Sequence, residues 1–179
     1  MLDMSECGLN SLSAESLAEA LYSNTHLEEL IISGNTEIGE SGIEHIMNAL
    51  RINQGLKKLN LTACKLTPSN AKDLAKALGA NKHLEELNIS GNKLRDGGIQ
   101  SMASALEVNR HLKRLELASC GITNIGLRYL VTAIHSNHIL NALLVHNSLN
   151  KTKNSITKAG FPIENLQNNC ALTELGSPQ

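Results

Sequence analysis

The side chains of this 179-residue chain best suited to nucleophilic, redox or metal chemistry are its four cysteines and seven histidines, so their spacing comes first. Cys7, Cys64 and Cys120 alternate with Asn35, Asn92 and Asn147 at intervals of 27 to 29 residues. Residues returning at a fixed interval occupy the same place in successive structural layers, and this alternation reads as a ladder. In such a ladder an Asn amide satisfies backbone groups of the turns, and Cys is a small, weakly polar filler of the same place. Two layers at ~4.8 Å per strand separate successive cysteines by about 10 Å, beyond the ~7 Å limit for bridged Cα atoms, so no disulfide among them is expected. Cys170, outside the ladder, is the thiol expected to react.

His26, His83, His111 and His138 share the slot just before the first residue of a unit. His83, His111 and His138 would stack in successive layers within reach of one metal, but carboxylate neighbours are missing, and a turn role is expected instead. A Gly-rich phosphate loop, a nucleophile elbow and a paired-acid arrangement are likewise missing. The expectation is therefore a chain that is not an enzyme, with no catalytic residue, no cofactor and no metal.

What positions these residues is a repeat, clearest at Leu84-Glu85-Glu86-Leu87-Asn88-Ile89-Ser90-Gly91-Asn92-Lys93-Leu94. Apolar residues stand at its positions 1, 4, 6 and 11, and Asn at position 9. Position 1 falls on Leu27, Leu56, Leu84, Leu112 and Ile139, spaced 29, 28, 28 and 27 residues. The chain enters its first unit at position 4 with Leu2, and the second unit carries one extra residue between Asn35 and Ile38. Asn169 to Leu175 overlays Asn109 to Leu115, as the start of a seventh unit.

Between the motifs, trios spaced by three and four residues mark one face of a helix. They are Ala14/Leu17/Leu21, Ile43/Ile46/Leu50, Ala71/Leu74/Leu78, Ile99/Met102/Leu106 and Leu127/Leu130/Ile134. Thr67-Pro68 and Asp96 supply capping chemistry at helix starts. Asn24, Asn53, Asn81, Asn109 and Asn137 end the helices, which predicts left-handed terminators. Positions 4 and 6, two apart, share one face of a strand. Each unit is then a βα layer, and a core of Leu, Ile and Ala in thin layers suits a chain with no Trp, two Tyr and one Phe.

The pattern resembles the leucine-rich repeat family, in its ribonuclease-inhibitor-like subclass. The resemblance rests on Leu84/Leu87/Ile89/Asn92/Leu94 and Leu56/Leu59/Leu61/Cys64/Leu66 and covers about Leu2 to Leu149. It implies an α/β solenoid, a horseshoe arc with a parallel β-sheet on the concave side and α-helices on the convex side. Six units would fill residues 1–149, the first truncated at its start, with an irregular C-terminal segment over 150–179. In that segment Pro162 delays the last helix, and Phe161 and Ile163 are expected to cover the end of the stack.

A solenoid of this kind exposes a sheet face whose outward residues vary without touching the core, so the expected function is a scaffold or adaptor binding a protein partner there. The expected contacts are Glu29, Lys58, Glu86 and Arg114 at position 3, with Ile31, Ser33, Asn60, Thr62, Asn88, Ser90, Glu116, Ala118, Leu143 and Val145 at positions 5 and 7. Glu28-Glu29, Lys57-Lys58, Glu85-Glu86 and Lys113-Arg114 alternate in sign, so opposite charges should meet on adjacent strands. Asn60-Leu61-Thr62 and Asn88-Ile89-Ser90 match the glycosylation acceptor pattern but fall inside strands.

The family also implies alternatives: a GTPase-activating or regulatory module of the Ran GTPase-activating type, or part of a NOD-like receptor sensor region. A ribonuclease inhibitor is disfavoured, because tight interfaces use Trp and Tyr anchors that the concave positions lack. A net charge of −1 argues against nucleic acid and acidic membranes as partners. Apolar runs of a few residues and a start without a basic secretion signal point to a cytoplasmic, or nuclear, protein. Ends without a recognisable cap leave two options, continuation of the solenoid or self-association.

Overall fold

A computed structural model of the chain describes residues 1–145. Its elements alternate: β1 (Leu2–Asp3), α1 (Ser11–Ser23), β2 (Glu29–Ile31), α2 (Gly39–Ile52), β3 (Lys58–Asn60), α3 (Pro68–Ala80), β4 (Glu86–Asn88), α4 (Arg95–Val108), β5 (Arg114–Glu116), α5 (Asn124–Ser136) and β6 (Ala142–Leu144). The strands form one parallel sheet in sequence order, each hydrogen-bonded to the next. Consecutive helices pack side by side over one face of it. This is the expected α/β leucine-rich-repeat solenoid, with its core between sheet and helices.

The core is built as the spacing requires. Leu30, Leu59, Leu87 and Leu115 sit in register across β2 to β5. All four are buried, as are Ile32, Leu61, Ile89 and Leu117 at position 6. The helix trios are buried too, except Leu17, which is partly so.

The sixth unit departs from the expected register. Arg114 pairs with Ala142 and Leu115 with Leu143, so Leu140 rather than Ile139 holds position 1. Leu140 is fully buried and Ile139 is 37% exposed. Ile139 therefore takes the slot assigned to His138, and the stack of three histidines does not form. A one-residue slip exchanges the faces of a strand. Leu143 and Val145, expected to face outward, are consequently buried in the core, and Leu144 pairs with Glu116 on the outward row.

Two kinds of turn alternate along the stack. At position 8 the first five units adopt positive φ, whether the residue is Gly34 and Gly91 or Glu6, Ala63 and Ser119. Cys units turn again at position 10, at Gly8, Lys65 and Gly121, and their helices start behind Asn10, Thr67 and Thr123, whose side chains accept a backbone N–H. Asn units turn at the first helical residue instead, Gly39 or Arg95, with no side-chain cap. Asp96 is therefore not the cap of its own helix. Its Oδ1 accepts from Thr123 N at 2.8 Å and Gly126 N at 2.9 Å, and its Oδ2 from Thr123 Oγ1 at 2.6 Å, so it caps the next helix, α5.

The terminating asparagines differ from expectation as well. Asn24, Asn53, Asn81, Asn109 and Asn137 all have extended backbones, not left-handed ones. What fixes them is the side chain. Asn81 Nδ2 donates to Leu50 O at 2.6 Å and Asn53 O at 3.1 Å, while its Oδ1 accepts from His83 N at 2.8 Å and Leu84 N at 2.7 Å. Asn53, Asn109 and Asn137 repeat this bonding, so each ends one helix, aims the next strand and ties its layer to the one before.

Candidate interaction face

The ladder residues that looked most chemical are occupied structurally. Asn92 Nδ2 donates to Leu61 O at 2.9 Å and Ile89 O at 2.8 Å, and its Oδ1 accepts from Leu66 N at 2.9 Å. Asn35 repeats this with Met4 O, Ile32 O and Leu9 N. Cys64 and Cys120 point their thiols at Ile32 O and Ile89 O of the preceding layer. Burial raises both thiol pKa values, that of Cys120 to about 11, and so suppresses the nucleophilic thiolate at neutral pH. Cys7 is exposed, and among the described residues none of the three is joined in a disulfide. Asn147 and Cys170 lie outside the described residues, as do Pro162, Phe161 and Ile163 and the whole segment 146–179.

The outward face of the sheet is set by strand alternation. Position 3 carries Glu29, Lys58, Glu86, Arg114 and Ala142, and position 5 carries Ile31, Asn60, Asn88, Glu116 and Leu144, matched strand to strand by the parallel register. Ser33, Thr62, Ser90 and Ala118 continue the face at position 7 and are half-buried. A shallow open hollow of ≈ 160 Å³ lies across β2 to β5, lined by Glu29, Lys58, Asn60, Glu86, Asn88, Arg114 and Glu116 among others. Of the fourteen residues expected to form the face, the twelve other than Leu143 and Val145 lie on it. Leu144 and Ala142 were missed. The constant spacing of Asn to position-1 Leu, seen at Asn53/Leu56, Asn81/Leu84 and Asn109/Leu112, is the signal that finds them.

Charge pairs form across layers, though not all those expected. Lys58 Nζ lies 2.9 Å from Glu86 Oε1, and Lys113 Nζ lies 2.8 Å from Glu85 Oε2, while Lys57 pairs with Glu28. The hydrogen bond and charge of Glu28 raise the Lys57 pKa, and Glu86 does the same for Lys58. Lys57 and Lys113 in turn hold Glu28 and Glu85 below the usual carboxylate range. These pairs are exposed, so they guide register more than they stabilise.

Arg114 does not join Glu86, its cross-strand neighbour. Its Nε donates to Glu116 Oε1 at 2.8 Å, two residues along the same strand. Glu116 Oε2 in turn accepts from Asn88 Nδ2 of β4 at 2.8 Å. A half-exposed guanidinium is thus fixed in the hollow by a carboxylate that is itself fixed. Asn60 and Asn88 are anchored through Oδ1, which accepts the backbone N–H of Thr62 and Ser90. The face offers oriented polar and charged groups, and among the described residues no cluster of three His, Cys, Asp or Glu side chains is placed to hold a metal.

Comparison with known proteins agrees with the repeat. A family model described as Leucine Rich repeat matches residues 23–47, 80–103 and 108–131. The ribonuclease inhibitor of Sus scrofa is 39% identical over 74 residues, 41% of this chain and 16% of that protein. NACHT, LRR and PYD domains-containing protein 5 of Bos taurus is 36% identical over 75 residues, 41% of this chain and 7% of that protein. The chain thus spans a small part of the length of these relatives. Among solved structures, the tropomodulin C-terminal domain of Caenorhabditis elegans superposes with a TM-score of 0.71 at 18% identity, over 87% of this chain and 92% of that one. Leiomodin-1 Actin-Binding Site 2 gives 0.69 at 18% identity, over 89% and 86%. At that identity both report the fold alone. With the Cys/Asn ladder, the in-register leucines and the alternating turns already in place, the chain carries leucine-rich repeats similar to those of the ribonuclease inhibitor.

Proposed function

We propose that the chain is a protein-binding scaffold whose partner docks on the outward, concave face of the sheet, with Arg114 as the central contact. The observation that carries this reading is the Asn88–Glu116–Arg114 relay. A side chain already held in one orientation loses less freedom on binding, and Arg is among the residues most often dominant in interfaces. Around it, Lys58 and Glu86 satisfy each other, whereas Glu29 makes no ion pair among the described residues. The hollow therefore suits a partner presenting a carboxylate to Arg114 and a cation to Glu29, three strand spacings or ~14 Å apart. The contact set is Glu29, Ile31, Ser33, Lys58, Asn60, Thr62, Glu86, Asn88, Ser90, Arg114, Glu116 and Ala118, joined by Leu144.

Reversing Lys58 and Arg114 together to Glu tests it. Retention of the protein that co-purifies with the chain should fall by about tenfold, a loss of about 1.4 kcal/mol, with the circular dichroism spectrum unchanged. Unchanged retention would move the site off this face.

A second reading, a sensor segment within a longer repeat array, is favoured by the match to a short stretch of the much longer NACHT, LRR and PYD domains-containing protein 5. The intact mass of the endogenous protein decides between a scaffold of this length and a longer array.

A further inference from the structure

The turns running from strand to helix line one rim of the sheet, away from the concave hollow. Between the fourth and fifth units they enclose a second open hollow of ≈ 400 Å³, lined by Lys93, Arg95, Asp96, Gly121 and Thr123. Its charge is unbalanced. Asp96 is the one carboxylate in the lining, and both its oxygens are already engaged by Thr123 and Gly126. Lys93 and Arg95 are exposed, and neither makes an ion pair among the described residues. One layer away, Lys65 occupies the turn position that Lys93 holds in the fourth unit, and its contact with Glu37 is a loose one at 3.5 Å.

Two of these cations stand where the turn suits glycine. Arg95 has φ +53°, and the equivalent residue of the other Asn unit is Gly39 at +67°. Lys65 has φ +57°, where the other Cys units have Gly8 at +68° and Gly121 at +69°. Glycine adopts this conformation freely and side-chain-bearing residues do not. The Arg95 stem also lies over the neighbouring turn, since a Cβ built on Gly121 would be 3.9 Å from Arg95 Cγ. The side chains are therefore kept at the rim against the local preference of the backbone.

We infer that this rim is a second contact surface, taking an acidic peptide segment of a protein partner with Lys93 and Arg95 as its cations. Carboxylates supply the charge the hollow lacks. The lining holds no aromatic side chain on which a base could stack, and the chain's net charge is −1, so a peptide fits better than a nucleic acid. This surface is separate from the concave face, and either can stand without the other.

Fluorescence anisotropy at low ionic strength on the full chain tests it, with three labelled probes: a ten-residue alternating Glu-Ser peptide, the matching Lys-Ser peptide and a ten-nucleotide single-stranded DNA. The Glu-Ser peptide should bind in preference to both others, and Lys93→Glu with Arg95→Glu should weaken it by about fivefold, the scale of two exposed charge pairs. Lys72→Glu, on the exposed face of α3, should leave it unchanged. Arg95→Gly separates a binding role from a structural one: it should weaken the peptide without lowering the melting temperature. Equal binding by the double variant, tighter binding of the DNA, or a drop in melting temperature with Arg95→Gly would overturn the inference.

Discussion

The side-chain amide of Asn53 donates to Leu21 O at 2.7 Å, joining the last turn of α1 to the start of the strand that follows α2. Asn81, Asn109 and Asn137 repeat the bond with Leu50, Leu78 and Leu106. Asn24 makes no such donation to an earlier layer among the described residues, and its Oδ1 accepts from His26 N and Leu27 N at an exposed site. Asn81→Ala strands four backbone groups, three of them in buried bonds, and should cost about 2–4 kcal/mol, where Asn24→Ala should cost about 1 kcal/mol or less. Urea unfolding of the two variants checks the difference, and equal costs would contradict the layer-tying role.

The register of β6 makes neighbouring leucines opposite in effect. Leu143→Ala should destabilise by about 2–5 kcal/mol, as a core truncation, and Leu144→Ala by less than about 1 kcal/mol. Chemical denaturation of each variant measures this, and the reverse order would restore the slipped alignment.

Asp96 stabilises a helix to which it does not belong. Asp96→Ala should cost about 1–2 kcal/mol, and amide exchange should quicken at Ile125 and Gly126 of α5 more than in α4. Faster exchange confined to α4 would return Asp96 to its own helix.

The buried thiols give the chain an alkaline limit. Burial holds Cys120 protonated up to about 11 in the folded state. An unfolded thiol ionises near its ordinary value of ~8.5, so between ~9 and ~11 the unfolded chain binds fewer protons and stability falls as pH rises, by up to ~1.4 kcal/mol per unit. Cys64 acts in the same direction. Cys120→Ala should flatten this slope in pH-dependent unfolding. At neutral pH iodoacetamide should label Cys7 and spare Cys64 and Cys120, read by peptide mass spectrometry.

The layers were legible because Leu87 and its equivalents can occupy only one face of a strand, and their 28-residue return leaves few architectures. The last unit was misread where Ile139 and Leu140 stand side by side, both apolar enough for position 1. The distance from Asn137 decides between them, because every earlier Asn precedes its Leu by three residues. Other features depend on three-dimensional competition that spacing does not express. Arg114 had two acids in reach, Glu86 across the sheet and Glu116 along the strand, and Asn88 tips the choice by fixing Glu116. The terminating asparagines were recognisable as terminators, but their extended backbones follow from carbonyls 28 to 32 residues away.

Site-specific photocrosslinking tests the central claim, protein binding on the concave face, most directly, because it captures a partner whatever its identity. A benzoylphenylalanine at Asn60 or Ser90, on the outward sheet face, is compared with one at Ser104 or Thr132, on exposed helix positions. A discrete crosslinked protein at the first two sites, lost when Lys58 and Arg114 are reversed, is the predicted result. Crosslinking of the same protein only from Ser104 or Thr132, or its persistence after the reversal, would contradict the concave-face account.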